Sequence, residues 1–268
     1  HGLLVLNADD AVLMAAAERL PHAARARQAL FAADTDHPAL IALRAQGSST
    51  CGASDGRLWL HHANAAHDLG AISDLPLTFN GAAGYNTMNL AAAALAAVAG
   101  LHLPIDAVWA TLATFGLDPR DNPGRLERHS HRGATVLIDY AHNPDGLSRL
   151  LAVARALPHQ RLLLLLGQAG NRSDEAIAEL ARAAASANPD CVVIKELPEM
   201  LRGRLPGEVP TLLRGALLDA GLGEKRMQLA GDEIAGAVAL LQAARIGDLL
   251  VLPLHSAAGR LAIAQRIV

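Results

Sequence analysis

Three polar segments of the sequence contain the side chains best suited to chemistry, and the first lies near the middle of the chain. Asp139, Tyr140, His142 and Asn143 follow an apolar run, so a carboxylate, an imidazole and an amide stand within five residues. A carboxylate at the end of a strand can accept hydroxyl hydrogens from a ribose. The alternative is that Asp139 and Asn143 cap a helix that Pro144 begins. Spacing alone leaves both interpretations open.

The second and third segments follow the next two apolar runs. Residues 167–174 place two glycines before a predicted helix, which would suit either an anion cradle of backbone N–H groups or a tight turn. Arg202 and Arg204 flank a glycine, so both guanidinium groups could approach one carboxylate or phosphate. A solvated surface loop is the alternative for this third segment.

Two further positions lie upstream. Asn86 and Asn89 are three residues apart at a predicted helix start, and their amides could donate to and accept from an adenine edge or simply cap the helix. Arg125 lies between proline- and glycine-rich stretches, from which it could reach a phosphate when two domains close.

Composition and spacing exclude several classes of function. Lys plus Arg number 23 and Asp plus Glu 26, and there are only two Trp, two Tyr and three Phe, which argues against nucleic-acid binding. No apolar run approaches the ~20 residues of a membrane span. The histidines lack metal-ligand spacing, so we expect no metal site from them, and no Gly-x-Ser-x-Gly occurs. Two cysteines favour a reducing, cytoplasmic setting.

Alternating strands and helices must position these segments. From residue 135 onward, near-continuous apolar runs alternate with helical stretches, which predicts an α/β fold with a parallel sheet and helices on both faces. Residues 116–125 form the predicted linker, which gives domains at 1–117 and 118–268. The predicted strands of the second domain are Thr135–Ile138, Arg161–Leu166, Cys191–Ile194 and Asp248–Leu254.

Taken in order, these motifs resemble those of the Mur ligase superfamily. The match rests on Asn7–Asp10, Gly84–Asn89, Asn122–Arg125 and Asp139–Pro144. Within the superfamily, Gly170–Glu175 and Leu201–Glu208 resemble the C-terminal, Mur-ligase-like part of cyanophycin synthetases. The resemblance implies that 1–117 is the C-terminal part of a central ATP-binding domain. Residues 118–268 would then be a Rossmann-like, mostly parallel C-terminal domain.

The resemblance also implies an activity. The family is ATP-dependent and ADP-forming: it phosphorylates a carboxylate, which an amine then attacks to give an amide. Cyanophycin synthetases in this way add arginine to an aspartate side-chain carboxylate. The alternatives are another Mur-like ligase, acting on a peptidoglycan precursor or poly-γ-glutamate, and a non-catalytic binding module. The implied partners are a nucleotide and an amino-acid or peptide substrate.

The resemblance assigns roles to individual residues. The implied catalytic residues are Arg125 and His142, and the implied nucleotide-binding residues are Asn86, Asn89, Arg125, Asp139 and Tyr140. The implied substrate-binding residues are Arg172, Glu196, Arg202 and Arg204.

The sequence departs from the family's pattern at Asn171 and Ser173, where relatives usually carry Asp and Arg, and in its lack of a phosphate-binding loop. No Gly-x-x-Gly-Lys-Thr/Ser occurs, and the family's Mg²⁺ ligands lie upstream of Asn7, so we expect them mainly outside this chain. The chain also begins without Met and enters an apolar run at once. We therefore expect a fragment that is inactive alone, whose partner is a missing N-terminal part of the same protein, and which has apolar surface that favours self-association.

Overall fold

The computed structural model describes residues 2–21 and 27–267, and the chain divides into two compact units, His1–Asp118 and Pro119–Val268. The first unit contains a five-stranded sheet in the order β1-β2-β3-β4-β5. Its first three strands are parallel, and β4 and β5 continue the sheet as antiparallel neighbours. The strands are β1 (Leu4–Asn7), β2 (Gln28–Asp34), β3 (Thr50–Ser54), β4 (Arg57–His62) and β5 (Ala65–Ala71).

The helices described in the first unit are α1 (Ala11–Ala17), α2 (Pro38–Arg44), α3 (Gly84–Leu95) and α4 (Ile105–Leu112). Asp10 caps α1, since its side chain accepts the N–H of Leu13. Helix α3 contributes Leu90 and Leu95, and β4 contributes Leu58 and Leu60, to the main apolar core of this unit.

The second unit contains a six-stranded sheet in the order β10-β9-β8-β11-β7-β6. All neighbouring strands are parallel except β6 and β7, which are antiparallel. The strands are β6 (Glu127–His131), β7 (Ala134–Asp139), β8 (Leu162–Leu166), β9 (Cys191–Lys195), β10 (Met227–Ala230) and β11 (Leu249–Pro253). The helices are α5 (Pro144–Ala156), α6 (Asp174–Ser186), α7 (Glu208–Asp219), α8 (Glu233–Ala243) and α9 (Ala257–Ala264).

Burial on both faces explains the apolar strands of this sheet. Leu163 and Leu165 of β8 pack with Ala237 and Leu240 of α8, whereas Leu164, on the opposite face of the strand, is also fully buried. A parallel strand covered on both sides needs apolar residues throughout. The predicted α/β class and the mostly parallel sheet are confirmed.

Two strands of the second unit differ from the prediction. Strand β6 is largely polar and pairs antiparallel at the edge of the sheet, and β10 is a half-exposed edge strand. Neither contains the apolar run that predicts a buried strand. Helix α3 begins at Gly84, so Asn86 and Asn89 lie near its start, as predicted. No helix in the described part of the chain is long and apolar enough to cross a membrane.

Candidate functional site

The carboxyl ends of the parallel strands bring the polar segments of the second unit to one edge of its sheet. Strand β7 ends at Asp139, β9 ends at Lys195, and Gly167 follows β8 directly. In parallel α/β sheets this edge is where ligands bind. The side chains at this edge form two groups, one around Arg125 and Asp139 and one around Glu196 and Arg204.

The Asp139 side chain binds two backbone N–H groups and does not cap a helix. Its Oδ2 accepts the N–H of Leu126 at 2.8 Å, and its Oδ1 accepts the N–H of Ala141 at 2.7 Å. Burial raises the pKa of Asp139 above its usual range, although the two N–H groups and the nearby Arg125 oppose that rise. The capping interpretation is wrong for Asp139 but confirmed for Asn143, whose side chain accepts the N–H of Gly146 at 2.7 Å.

Arg125 projects from a tight turn. Gly124 and Leu126 on either side of it have φ of +74° and +52°, a conformation that residues other than glycine seldom adopt. Glu127 stabilises this turn, because its carboxylate accepts the N–H of Gly124 and forms an ion pair with Arg260 at 3.2 Å. Burial raises the pKa of Glu127, but hydrogen bonds from His129 and Gly124 and the charge of Arg260 hold it below its usual range.

Tyr140 is the centre of an aromatic group next to this turn. The Arg125 guanidinium carbon lies 4.9 Å from the centroid of the Tyr140 ring, a cation–π distance. The rings of His142 and His255 lie 5.1 and 5.6 Å from the same ring. Arg125, Tyr140, His255 and Arg260 all line a cavity of about 190 Å³. Two arginine side chains therefore line one small cavity, which suits an anion.

The side chains of Glu196 and Arg204 form hydrogen bonds with other residues of the chain. Glu196 accepts the N–H of Leu197 at 3.1 Å and of Gly207 at 2.6 Å, which fixes both ends of the loop after β9. Arg204 donates to the carbonyl oxygens of Gly170 at 3.0 Å and Arg172 at 2.8 Å, and it pairs with two carboxylates. Those carboxylates belong to Asp174 and Glu208.

Arg172 and Arg202 differ from Arg204 in being exposed. Arg202 has φ of +50°, and neither guanidinium group makes an ion pair within the described residues. Of the three arginines predicted to bind substrate, these two remain available to a ligand, whereas Arg204 joins the loop after β8 to the loop after β9.

A second cavity, of about 330 Å³, lies beside the loop after β9. Its walls are apolar at Leu197, Met200 and Ile234 and acidic at Glu199 and Asp232. His255 and Ser256 line this cavity as well as the smaller one, so they form a wall common to both.

Asn86 and Asn89 lie in the first turns of α3 in the first unit. Asn86 is buried, and its Nδ2 donates to the carbonyl oxygen of Leu77 at 2.8 Å. Asn89 Nδ2 donates to Oδ1 of Asn86 at 3.2 Å. Helix α3 begins after Ala83 with no side-chain cap, so neither asparagine caps it.

Sequence reasoning missed Lys195, Glu233 and His255 as site residues. Lys195 and His255 each lie at or just after the end of a strand, which is the signal that could have found them. Glu233 had no such signal, because an acidic residue in the first turn of a helix is ordinary. Across residues 2–21 and 27–267, no three His, Cys, Asp or Glu side chains come together in a way that could hold a metal ion.

Comparison with known proteins agrees with this fold. The family described as "Mur ligase, glutamate ligase domain" matches residues 124–252, which include Arg125, Asp139 and most of the six-stranded sheet. The resemblance to the Mur ligase superfamily seen in the sequence is therefore confirmed.

Among curated proteins, the chain is similar to cyanophycin synthetases. It is 29% identical over 212 residues to that of Trichormus variabilis, which covers 79% of this chain and 23% of the relative. It is 27% identical over 252 residues to that of Synechocystis sp., which covers 94% of this chain and 28% of the relative. The chain thus spans about a quarter of the length of the curated relatives it matches.

Solved structures show the same fold at low sequence identity. A UDP-N-acetylmuramoylalanyl-D-glutamyl-2,6-diaminopimelate–D-alanyl-D-alanyl ligase from Acinetobacter baumannii has a TM-score of 0.60 and 14% identity over 98% of this chain and 51% of that chain. FolC of E. coli in complex with ADP has a TM-score of 0.55 and 19% identity over 89% of this chain and 53% of that chain.

Proposed function

We propose that this chain is part of an ATP-dependent, ADP-forming ligase that joins an acid to an amino acid through an acyl phosphate. Residues 1–117 would be the C-terminal part of the central ATP-binding domain, and residues 118–268 the C-terminal domain. The observation that supports this most is the cavity that Arg125 and Arg260 share with Tyr140 at the carboxyl edge of the sheet. Preorganised cations of this kind stabilise the negative charge of a phosphoryl group during its transfer.

The nucleotide is a substrate, and the residues of the second unit fit part of it. The exposed Arg125 side chain makes no hydrogen bond or ion pair within the described residues, so its guanidinium is available to a phosphate, and the ring of His142 lies 5.1 Å from that of Tyr140. We propose that Asp139 faces the ribose while its carboxylate holds Leu126 and Ala141. Asn86 and Asn89 are proposed for the adenine side.

The described residues do not form a magnesium site. The described residues offer no cluster of carboxylates or histidines for it, and the carboxylates nearest to Arg125 already bind backbone N–H groups. We therefore assign no step of the reaction to a metal ion held by this chain.

The proposed amino-acid substrate is arginine, added to an aspartate side-chain carboxylate as in cyanophycin synthetases. The larger cavity supports a cationic substrate, since Glu199 and Asp232 stand at its edge and its walls are apolar enough for an aliphatic stem. Arg172 and Arg202 are proposed to bind the substrate's carboxylate, with Arg204 and Glu196 shaping the loops around it. A peptidoglycan-type or poly-γ-glutamate-type ligase is the alternative, with a different amino acid.

Calorimetric titration tests this proposal on the chain itself. We expect ADP to bind, and Arg125→Met to weaken that binding at least tenfold, which corresponds to about 1.4 kcal/mol. Arg128→Met is the matched control, because Arg128 is an exposed arginine three residues further along, on β6. Equal affinity in the Arg125 and Arg128 variants would contradict the proposed role of Arg125. Titration with arginine and with diaminopimelate would separate the two substrate hypotheses.

A further inference from the structure

A lysine with no exposed surface lies at the carboxyl end of β9. Nζ of Lys195 donates to Oε2 of Glu233 at 2.5 Å and to the carbonyl oxygen of Pro253 at 2.5 Å. The three residues belong to β9, to the first turn of α8 and to the end of β11. A buried charge destabilises the folded state unless it is paired, and removal of one partner leaves the other uncompensated. The ion pair therefore holds three elements at the edge where the cavities lie.

Glu233 extends this pair to the start of α9. Its Oε2 also accepts the N–H of His255 at 2.7 Å, and its Oε1 accepts the N–H and the hydroxyl of Ser256 at 3.1 and 2.9 Å. One carboxylate thus fixes the backbone of both residues that separate the two cavities.

The surrounding backbone leaves room for this pair. A Cβ on Gly167 would come within 2.5 Å of Cγ of Lys195, and a Cβ on Gly259 would come within 2.5 Å of Oε1 of Glu233. Any side chain at either glycine would force the pair to shift. The loop after β8 and the first turn of α9 are therefore both fitted to Lys195 and Glu233.

We propose that the buried Lys195–Glu233 pair is a positioning device that fixes His255 and Ser256 as the wall between the Arg125 cavity and the larger acidic cavity. The inference deepens the proposed function, because in a ligase this wall would divide the phosphate side from the amino-acid side. The test of this inference measures properties of His255 and Ser256 themselves. Its result therefore does not depend on whether the chain is part of a ligase.

The ring of His255 reports the state of this wall. Its Nε2 donates to the carbonyl oxygen of Ala141 at 3.2 Å, so in the neutral ring Nδ1 carries the lone pair. Burial lowers the pKa of His255 to about 4, and the Lys195 cation adds to that effect. The other charged or titratable groups around it are Glu233, His142, Tyr140, Arg125, Arg260 and, across the larger cavity, Asp232 and Glu199.

Two single variants of the full chain give opposite expectations. Lys195→Met removes the cation and keeps the Glu233 carboxylate, so the pKa of His255, followed by nitrogen-15 NMR, should rise by about one pH unit or more. Glu233→Gln keeps the cation, so the pKa of His255 should stay at or below its wild-type value. In the same variant, the amide hydrogens of His255 and Ser256 should exchange faster. General loosening of the fold would instead raise the pKa of His255 in both variants.

Matched variants keep the test decisive. Arg161→Met breaks another tight ion pair, with buried Asp248 at 2.5 Å, and should leave His255 unchanged. If Lys195→Met fails to fold, the uncharged double variant Lys195→Met/Glu233→Gln takes its place, with a smaller rise in the pKa of His255. The proposal is overturned if the pKa of His255 is unchanged in Lys195→Met, or if the amides of His255 and Ser256 exchange as in the wild type in Glu233→Gln. It is equally overturned if Arg161→Met changes them as much.

Discussion

Replacement of Asp139 by asparagine separates the structural role of this carboxylate from any role in ligand binding. The side chain accepts the N–H of Leu126 at 2.8 Å and of Ala141 at 2.7 Å, one on each oxygen. Asparagine has the same shape but only one acceptor oxygen, so Asp139→Asn must lose one of the two bonds. The bond to Leu126 holds the turn that carries Arg125, so its loss should loosen that turn.

The size and pH dependence of the effect follow from these contacts. A hydrogen bond to a charged group contributes about 1.5–3 kcal/mol, and relief from burying the charge offsets part of that, so we expect a net loss of about 1–2 kcal/mol. Because burial raises the pKa of Asp139, the folded state binds this proton more tightly than the unfolded state. The wild type therefore loses stability as pH rises from the ordinary aspartate value of about 3.9 through the raised folded value. The deficit of the variant should accordingly be larger in mild acid than at neutral pH.

Urea unfolding followed by circular dichroism measures this deficit at both pH values, and a thermal scan should show a fall of about 2–8 °C. Asp190→Asn is the control, since Asp190 also accepts a backbone N–H, that of Leu162 at 2.9 Å, but lies before β9, at the opposite edge of the sheet. A variant as stable as the wild type, or a deficit that vanishes in acid, would refute this account of Asp139.

Three further predictions concern the loops and the thiols. Arg204→Ala should speed amide exchange in the loops after β8 and β9, because it removes bonds to two carbonyl oxygens, whereas Arg202→Ala should leave exchange unchanged; equal effects would contradict the distinction. Gly170→Ala should speed exchange in the same loops and lower the melting temperature, since its Cβ would overlap the carbonyl oxygen of Leu201, and a wild-type melting curve would refute this. Burial raises the pKa of Cys51 to about 12, so this thiol should resist a disulfide reagent at neutral pH until urea unfolds the chain, while half-buried Cys191 reacts first; early reaction of Cys51 would show that it is not buried.

The alternating strands and helices of the second unit could be predicted, because the residues that indicate each element lie within it or directly beside it. Strands such as Leu162–Leu166 and helices that are capped by Asn143 or Ser173 need only apolar runs and capping residues, and both are visible in the sequence. Strand β6 could not be predicted, since a polar segment such as Glu127–His131 becomes a strand only by pairing with β7.

The candidate site could likewise be predicted only in part from the sequence. Position after a strand placed Asp139, Tyr140 and His142 at the edge of the sheet, and Arg125, predicted from its place in the linker, lies against the Tyr140 ring. The sequence could not show that the side chains of Glu196 and Arg204 form hydrogen bonds with backbone groups 11 and 34 residues away. Such contacts depend on which loops meet at the sheet edge, and that is a property of the tertiary fold.

The most direct test of the central claim maps nucleotide binding on the chain residue by residue. Backbone NMR signals would be recorded while ADP is added to millimolar concentration, with the wild type and with Arg125→Met. The account predicts shifts at residues 123–126, 139–142 and 254–257, around the Arg125 cavity, that the variant loses. Shifts confined to the loop at 197–204, or none in the wild type, would contradict the claim that this unit presents Arg125 to the nucleotide.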